Sequence, residues 1–221
     1  MAGGATITQS VPQPMSRVFG FDRGTPIDRY YIERFLEENK ADIRGRVMEV
    51  GSAAYTKRFG SGRVDRIDVL HATAGNPHAT IVGDLASGEG IPKNAFDCIV
   101  LTQVLPFVFD VFGAVKNCCR ALKADGVVLA TLPGISQISR YDMDRWGDFW
   151  RFTDLSARRL FEEAFGKDGG SVDVRTAGNV AVATSFLQGM ALEGIPADEL
   201  DAVDPDYQVI ITVRARKGFR S

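Results

Sequence analysis

Two stretches carry residue types that could do chemistry. In the first, Arg46 to Ser52 (R-V-M-E-V-G-S), an acid and a glycine close an apolar run. Val47, Met48 and Val50 suit a parallel strand covered on both faces. An unpaired carboxylate inside such a run is costly, so Glu49 should meet a donor at the strand's carboxyl end. Gly51 then lets the backbone turn and approach a ligand closely. Ligands of open α/β sheets bind in this place, outside the carboxyl ends of the strands. Asp68 follows 19 positions after Glu49. That is close to the ~20-residue offset of a ribose-binding acid in nucleotide-binding α/β folds. The alternative is a solvent-facing strand aspartate.

The second stretch, Ile135 to Phe152, holds both tryptophans, Trp146 and Trp150, with Tyr141, Arg145, Asp148, Phe149 and Arg151. An indole ring offers a flat apolar platform while its N–H stays able to bond a hydroxyl, which suits a sugar ring. Asp148 and Arg151 could hold hydroxyls at the edge of that platform. For a group transfer, alignment supplies most of the acceleration and a base a smaller part. Asp148 is the first candidate base, Tyr141 the second and His71 a distant third. The other reading is that Trp146 and Trp150, four apart, staple a short helix to the sheet.

The elements that must position these residues follow from periodicity. Thr25 suits an N-cap, Pro26 the first helical position, and Asp28 can serve the free N–H groups. Ile27, Tyr31 and Phe35 share one face of a helix running to about Ile43. After the glycine turn, Ala54 to Phe59 forms a short helix closed by Gly60. Strands are expected at Val64 to Leu70, Thr80 to Gly83, Phe96 to Thr102 and Val127 to Leu132. His71 to Ala79 is too short and too rich in Gly, Asn and Pro for a crossover helix. Val111 to Leu122 is amphipathic and buries Cys118 and Cys119 as core. Thr153 caps a helix from Asp154 to Phe165 that Gly166 ends. Val172 to Thr176 and Tyr207 to Arg214 are the last strands. Between them lie the helical stretch Val180 to Leu192 and an acidic loop from Gly194 to Pro205. Residues 1–18 read as a disordered tail and 19–221 as a single domain.

Composition excludes several function classes. With 221 residues, 45% hydrophobic and 24% charged, the chain has the make-up of an ordinary globular domain. A net charge of −2 gives no support to nucleic-acid or anionic-membrane binding. No apolar run approaches the ~20 residues of a membrane span, and the N-terminus lacks the layout of a secretory signal. Three cysteines and two histidines offer neither a disulfide framework nor zinc-ligand spacing. A cytoplasmic address is the default.

Glu49-Val50-Gly51-Ser52-Ala53 resembles the nucleotide-binding loop of class I S-adenosylmethionine (SAM) dependent methyltransferases, acidic-x-Gly-x-Gly, with Ala53 for the second glycine. Phe96-Asp97 opening an apolar strand and the Leu122-Lys123-Ala124-Asp125-Gly126 passage are similar to the same family. The resemblance implies a doubly wound, Rossmann-like α/β fold with a seven-stranded sheet of order 3-2-1-4-5-7-6, strand 7 antiparallel. It implies SAM as cofactor, its amino-acid end at Glu49, Gly51 and Ser52, and its ribose at Asp68 and Val69. Asp84 and Leu85 would take the adenine, and Thr102 and Gln103 would face the crevice. Arg29 would pair with the SAM carboxylate and Tyr30 cover the sulfonium, if the first helix is a lid; a solvated arginine and a core tyrosine are the alternative.

More narrowly, Arg23 to Tyr31, Asp68 to His71, Leu101-Thr102-Gln103 and Arg145 to Thr153 are similar to small bacterial methyltransferases associated with glycosyltransferases of surface-polysaccharide pathways. This implies a hydroxyl of a small-molecule or saccharide-type acceptor, met by Trp146, Trp150 and Arg151, with a glycosyltransferase of the same pathway as partner. Three rivals stand beside it. A nicotinamide dehydrogenase would want Gly-x-Gly-x-x-Gly, and Gly51 to Thr56 lacks two of those glycines. An aminopropyl transferase would want an acid-rich acceptor loop, which Thr102 to Pro106 is not. A catalytically silent SAM-fold module acting as a partner subunit is the third.

Overall fold

Alternation along the central strands decides which helices cover which face of the sheet. In the computed structural model, which describes residues 13–166 and 168–219, β1 (Gly45–Val50), β4 (Phe96–Thr102) and β5 (Leu122–Pro133) lie side by side. Met48, Ile99, Leu101, Val128 and Ala130 point to one face. There they pack with Val115 and Cys118 of α3 (Val111–Ala121) and Leu160 and Phe161 of α5 (Asp154–Phe165). Val47, Cys98, Val100, Val127 and Leu129 point to the other, against Ile32, Phe35 and Leu36 of α1 (Ile27–Glu38) and Phe59 of α2 (Ala54–Gly60).

Outside this core, β2 (Val64–His71) and the two-residue β3 (Ile81–Val82) extend one edge in parallel. At the other edge β7 (Ile210–Arg216) runs antiparallel between β5 and β6 (Ser171–Ala177). The order is β3-β2-β1-β4-β5-β7-β6, as the resemblance implies. A short α4 (Arg140–Met143) follows β5, and α6 (Val180–Gln188) and α7 (Ala197–Asp201) lie between β6 and β7. A third apolar cluster joins Ile27 and Tyr31 to Val182 and Phe186 of α6 and to Val209 and Ile210. It seats the start of α1 over the carboxyl edge of the sheet.

Several boundaries differ from expectation for local reasons. The first helix stops at Glu38, not Ile43, because Asn39 leaves helical geometry and its Nδ2 donates to the Phe35 carbonyl at 2.8 Å. Pro26, not Thr25, holds the N-cap place, while the Thr25 hydroxyl donates to Glu193 Oε1 at 2.7 Å. The acidic loop contains α7. The Lys123 to Gly126 passage, which precedes the strand expected from Val127, is a bulge within β5: Leu122 faces Phe96, and the next paired residue is Val127 opposite Cys98. Of the expected tail, residues 1–12 lie outside the described residues, and the Met15 and Ser16 amides donate to Gln188. Thr153 caps α5 in a reciprocal box with Ser156, as expected. Burial makes core residues of Cys98 and Cys118 and pushes the Cys118 thiol up to about 12. No helix among the described residues is long and apolar enough to cross a membrane.

Candidate active site

Where β1 ends, Gly51 turns the chain with φ +80°, a conformation that costs other residues strain. Its N–H donates to Leu70 O at 2.9 Å, and its carbonyl accepts from Asn76 Nδ2 at 2.8 Å. Glu49 shares a face with Val47 and therefore reaches α2. It is 3% exposed and accepts from the Tyr55 and Thr56 amides at 3.2 and 2.8 Å. Ala53 offers α2 no side-chain cap, so Glu49 caps it from the neighbouring strand. Burial raises the Glu49 pKa, against the pull of those amides. The donor expected for Glu49 is thus the protein's own backbone. Ala53 sits at φ −111°, which any residue adopts, so the missing glycine costs the loop nothing. Ser52 is exposed and its Oγ only approaches the Ala54 amide, at 3.4 Å.

Two cavities open along the carboxyl edge. The larger, about 660 Å³, runs from Val50, Gly51, Leu70 and His71 past Gly83 to Ala86 and on to Gln103, Val104 and the Phe107 to Asp110 stretch. Asp142, Trp146 and Phe149 close its far side. Its walls fit SAM: apolar side chains for a purine, polar groups at His71 and Asp84. At Gly51 an added Cβ would meet no atom within 4 Å, so the turn leaves open space beside the backbone. Asp84 is exposed and accepts from the Ala86 and Ser87 amides at 2.9 and 3.3 Å. Leu85 is buried beneath it.

The ribose assignment needs correction. Asp68 is 0% exposed and is held by Arg46 Nε at 2.7 Å, Arg66 Nη2 at 2.9 Å and Thr80 Oγ1 at 3.1 Å. Burial opposes its ionisation, but those three donors outweigh it and leave the pKa below the ordinary value. Register explains why the count misled. Asp68 pairs with Met48, whereas the strand end at Val50 pairs with Leu70. The residue that reaches the crevice is His71. Val69 is buried, and its amide donates to Thr80 Oγ1.

The smaller cavity, about 240 Å³, lies between the start of α1 and the loop after β5. Phe19, Phe21, Asp28 and Arg29 form one wall, and Ser139, Asp142, Asp148 and Arg151 another. Thr102 lines this cavity and not the larger one. Gln103, Phe107 and Asp142 line both. Gln103 holds φ +54° for a non-glycine residue, with its amide on Thr131 O at 2.9 Å. Arg29 donates to Tyr55 Oη at 2.7 Å and lies by the Phe21 and Tyr55 rings. Tyr30 turns away and donates to Asp201 Oδ1 at 2.7 Å, so it covers no sulfonium.

The aromatic loop also departs from expectation. The Asp148 side chain is 1% exposed, gripped by Arg151 at 2.6 and 3.0 Å and by the Ser139 amide at 2.9 Å. Burial works against its charge, but Arg151 and Ser139 outweigh it and keep the pKa low. A carboxylate so paired is a poor proton acceptor, which corrects the assignment of Asp148 as base. Arg151, occupied by the same pair, is not free to hold an acceptor. Tyr141 is 67% exposed under the Arg145 guanidinium and lines neither cavity. Trp150 Nε1 donates to the Val108 and Phe109 carbonyls, both at 3.2 Å, which makes it the staple and not the platform. Trp146 does line the larger cavity, edge-on to His71 with ring centroids 5.5 Å apart. Sequence reasoning missed Asp142, Phe19 and Phe21 as lining residues, because loop paths far apart in sequence bring them together.

Residues 47–130 match a family model described as a methyltransferase domain. No curated protein matches the chain in sequence. Among solved structures, the [4+2]-cyclase SpnF aligns at TM-score 0.58 and 16% identity, over 93% of this chain and 89% of that one. A SAM-dependent methyltransferase from Mesorhizobium loti aligns at 0.55 and 16%, over 86% and 100%. The N-methyltransferase NodS from Bradyrhizobium japonicum WM9, in complex with S-adenosyl-L-homocysteine (SAH), aligns at 0.54 and 16%, over 87% and 88%. The fold is that of the Rossmann-like methyltransferases. The match to that domain model covers the central part of this fold, and one neighbour of the same fold was solved with SAH.

Proposed function

We propose that the chain transfers a methyl group from SAM to a hydroxyl of a small-molecule or saccharide-type acceptor. The observation that carries this is the shared wall of Gln103, Phe107 and Asp142, where the two cavities meet. A donor in one and an acceptor in the other would face each other across it. SAM supplies the electrophilic methyl carbon when bound. Gly51 admits it closely, His71 with Trp146 borders its ribose, and Asp84 with Leu85 borders its adenine. The smaller cavity lies below the ~300–1,000 Å³ usual for drug-sized ligands. It would admit one ring or the end of a longer acceptor, held near Phe19 and Phe21. The resemblance at Arg23 to Tyr31 and Arg145 to Thr153 supports a polysaccharide-pathway setting, a glycosyltransferase partner and a cytoplasmic address.

Calorimetry with SAH tests the cofactor half: the protein should bind it, and Gly51→Val, strained at φ +80°, should weaken binding at least tenfold. Unchanged affinity in that variant would contradict the site. SAH release with a panel of sugars and phenols separates transfer from the second reading, a SAM-fold module without turnover.

A further inference from the structure

The smaller cavity holds three carboxylates, and two have partners. Asp148 is in its pair with Arg151, and Asp142 Oδ2 accepts from Ser139 Oγ at 2.6 Å. Asp28 Oδ1 is buried with no hydrogen-bond partner among the described residues. The residue stands in the first turn of α1, held in place by Ile27 and Tyr31, which are buried against α6. Tyr31 Oη donates to Leu200 O at 2.9 Å and fixes the helix further. The adjacent cation, Arg29, directs its Nη1 to Tyr55 instead. A buried oxygen without a donor costs about 1–3 kcal/mol, so its retention in the wall of a cavity calls for a role.

Resting on the SAM-transfer reading above, we propose that Asp28 is the general base of the reaction and receives the acceptor's proton. The acceptor oxygen forms the new C–O bond as the methyl carbon's bond to sulfur breaks and its electron pair returns to sulfur. The hydroxyl proton passes to the Asp28 carboxylate and later to water. Burial raises the Asp28 pKa; the Arg29 charge and the amides of Arg29 and Asp28 lower it less. A raised carboxyl is the better base near neutrality. The titratable groups around it are Arg29 on its own helix, Tyr55 of α2, and Asp142, Asp148 and Arg151 from the facing loop. Only Asp28 and Asp142 there lack a cation bonded to them, so the reacting end of the acceptor is neutral or cationic. A phosphate or carboxylate beside the nucleophile would be repelled.

The test is Asp28→Asn, with measurements that need no acceptor. The folded-state pKa lies above the unfolded one, so the charged form destabilises the fold once pH exceeds the unfolded value of about 3.9. The variant should therefore match or exceed the wild type in thermal midpoint at pH 7; a fall would make Asp28 structural and overturn the proposal. A carboxyl carbon NMR titration of the SAH complex should place Asp28 above the ordinary aspartate range. A value at or below ~3.9 would overturn it. SAH affinity should change less than threefold. A tenfold loss confined to the variant would assign Asp28 to the cofactor and overturn the base, whereas no SAH binding by the wild type would remove the underlying reading instead. With any acceptor that turns over, kcat should fall ~10²-fold or more and lose its acidic limb; an unchanged kcat would contradict the proposal.

Discussion

The two cavities share a wall but are built differently. The larger is made by strand ends and the turns that follow them, so its walls are fixed by ladder register and by Glu49 capping α2. The smaller is made by segments far apart in sequence, held by a few polar contacts. Asp148 with Arg151 and Ser139 shapes the loop after β5, and Ile27 with Phe186 seats the helix opposite. Buried acids hold the frame in both regions: Glu49 and Asp68 near the larger cavity hold backbone and arginines together, and Asp148 in the smaller one does the same with Ser139 and Arg151. The smaller cavity differs in adding Asp28, whose Oδ1 has no hydrogen-bond partner among the described residues. A carboxylate's place in a motif says less about its role than its partners do.

The sharpest way to break this contrast is at Arg151. Arg151→Met leaves Asp148 buried and unpaired, a change that typically costs about 3–5 kcal/mol, read as a fall in thermal midpoint. SAH affinity of the folded protein should fall by less than about tenfold, because Asp148 and Arg151 line only the smaller cavity, while the same loop carries Asp142, Trp146 and Phe149 to the larger one. Asp68→Ala should likewise lower stability, by about 2–4 kcal/mol as Arg46 and Arg66 lose their partner. It should change SAH affinity by less than about threefold, since no Asp68 atom lines the crevice. A tenfold loss in the folded variant would restore Asp68 as the ribose ligand. The matched substitution His71→Ala should do the reverse, weakening SAH by about tenfold, as one hydrogen bond of ~1.4 kcal/mol allows, with little change in stability.

The same contrast has a pH signature. Asp68 and Asp148 have lowered pKa values in the fold, so the stability they contribute is present above the unfolded value and lost as pH falls through the folded one. Asp28, raised, acts in the opposite sense, costing stability as pH climbs past about 3.9. Unfolding free energies should therefore drop steeply below about pH 4 in the wild type. In Asp68→Asn that drop should be shallower, and a parallel curve would contradict the assignment. The smallest effect is at Trp150→Phe, which removes the Nε1 donor to Val108 and Phe109. It should cost about 1 kcal/mol and leave any acceptor KM unchanged; a raised KM would return Trp150 to the acceptor site.

Most of the fold was legible because its signal is local. Val47 and Met48, Cys98 and Ile99, and Val127 and Val128 each read as strand residues facing opposite layers, and Thr153 announced its helix. The strand order came from the likeness of the glycine loop and its downstream partners, not from periodicity. Of the residues the sequence singled out, Gly51, Asp84, Leu85, Gln103 and Trp146 border the larger cavity, most of them at strand ends or the turns that follow. Asp68 was misplaced because counting residues ignores register: the offset is right, but the strand runs on to His71. Asp148 and Trp150 were misread because their partners, Ser139 and the Val108 and Phe109 carbonyls, are fixed by loop paths that no spacing encodes. Asp28 was read as a helix-end acid, since nothing in one sequence shows that its oxygen is left without a donor.

A crystal structure of the protein with SAH tests the division of labour most directly. The account predicts ligand density along the larger cavity, with the adenine by Asp84 and Leu85, the ribose by His71 and Trp146, and the sulfur beside Gln103. Asp28 should stand across from that sulfur, in a smaller cavity left free for the acceptor. Density filling the smaller cavity, or an SAH amino group bonded to Asp28, would contradict it.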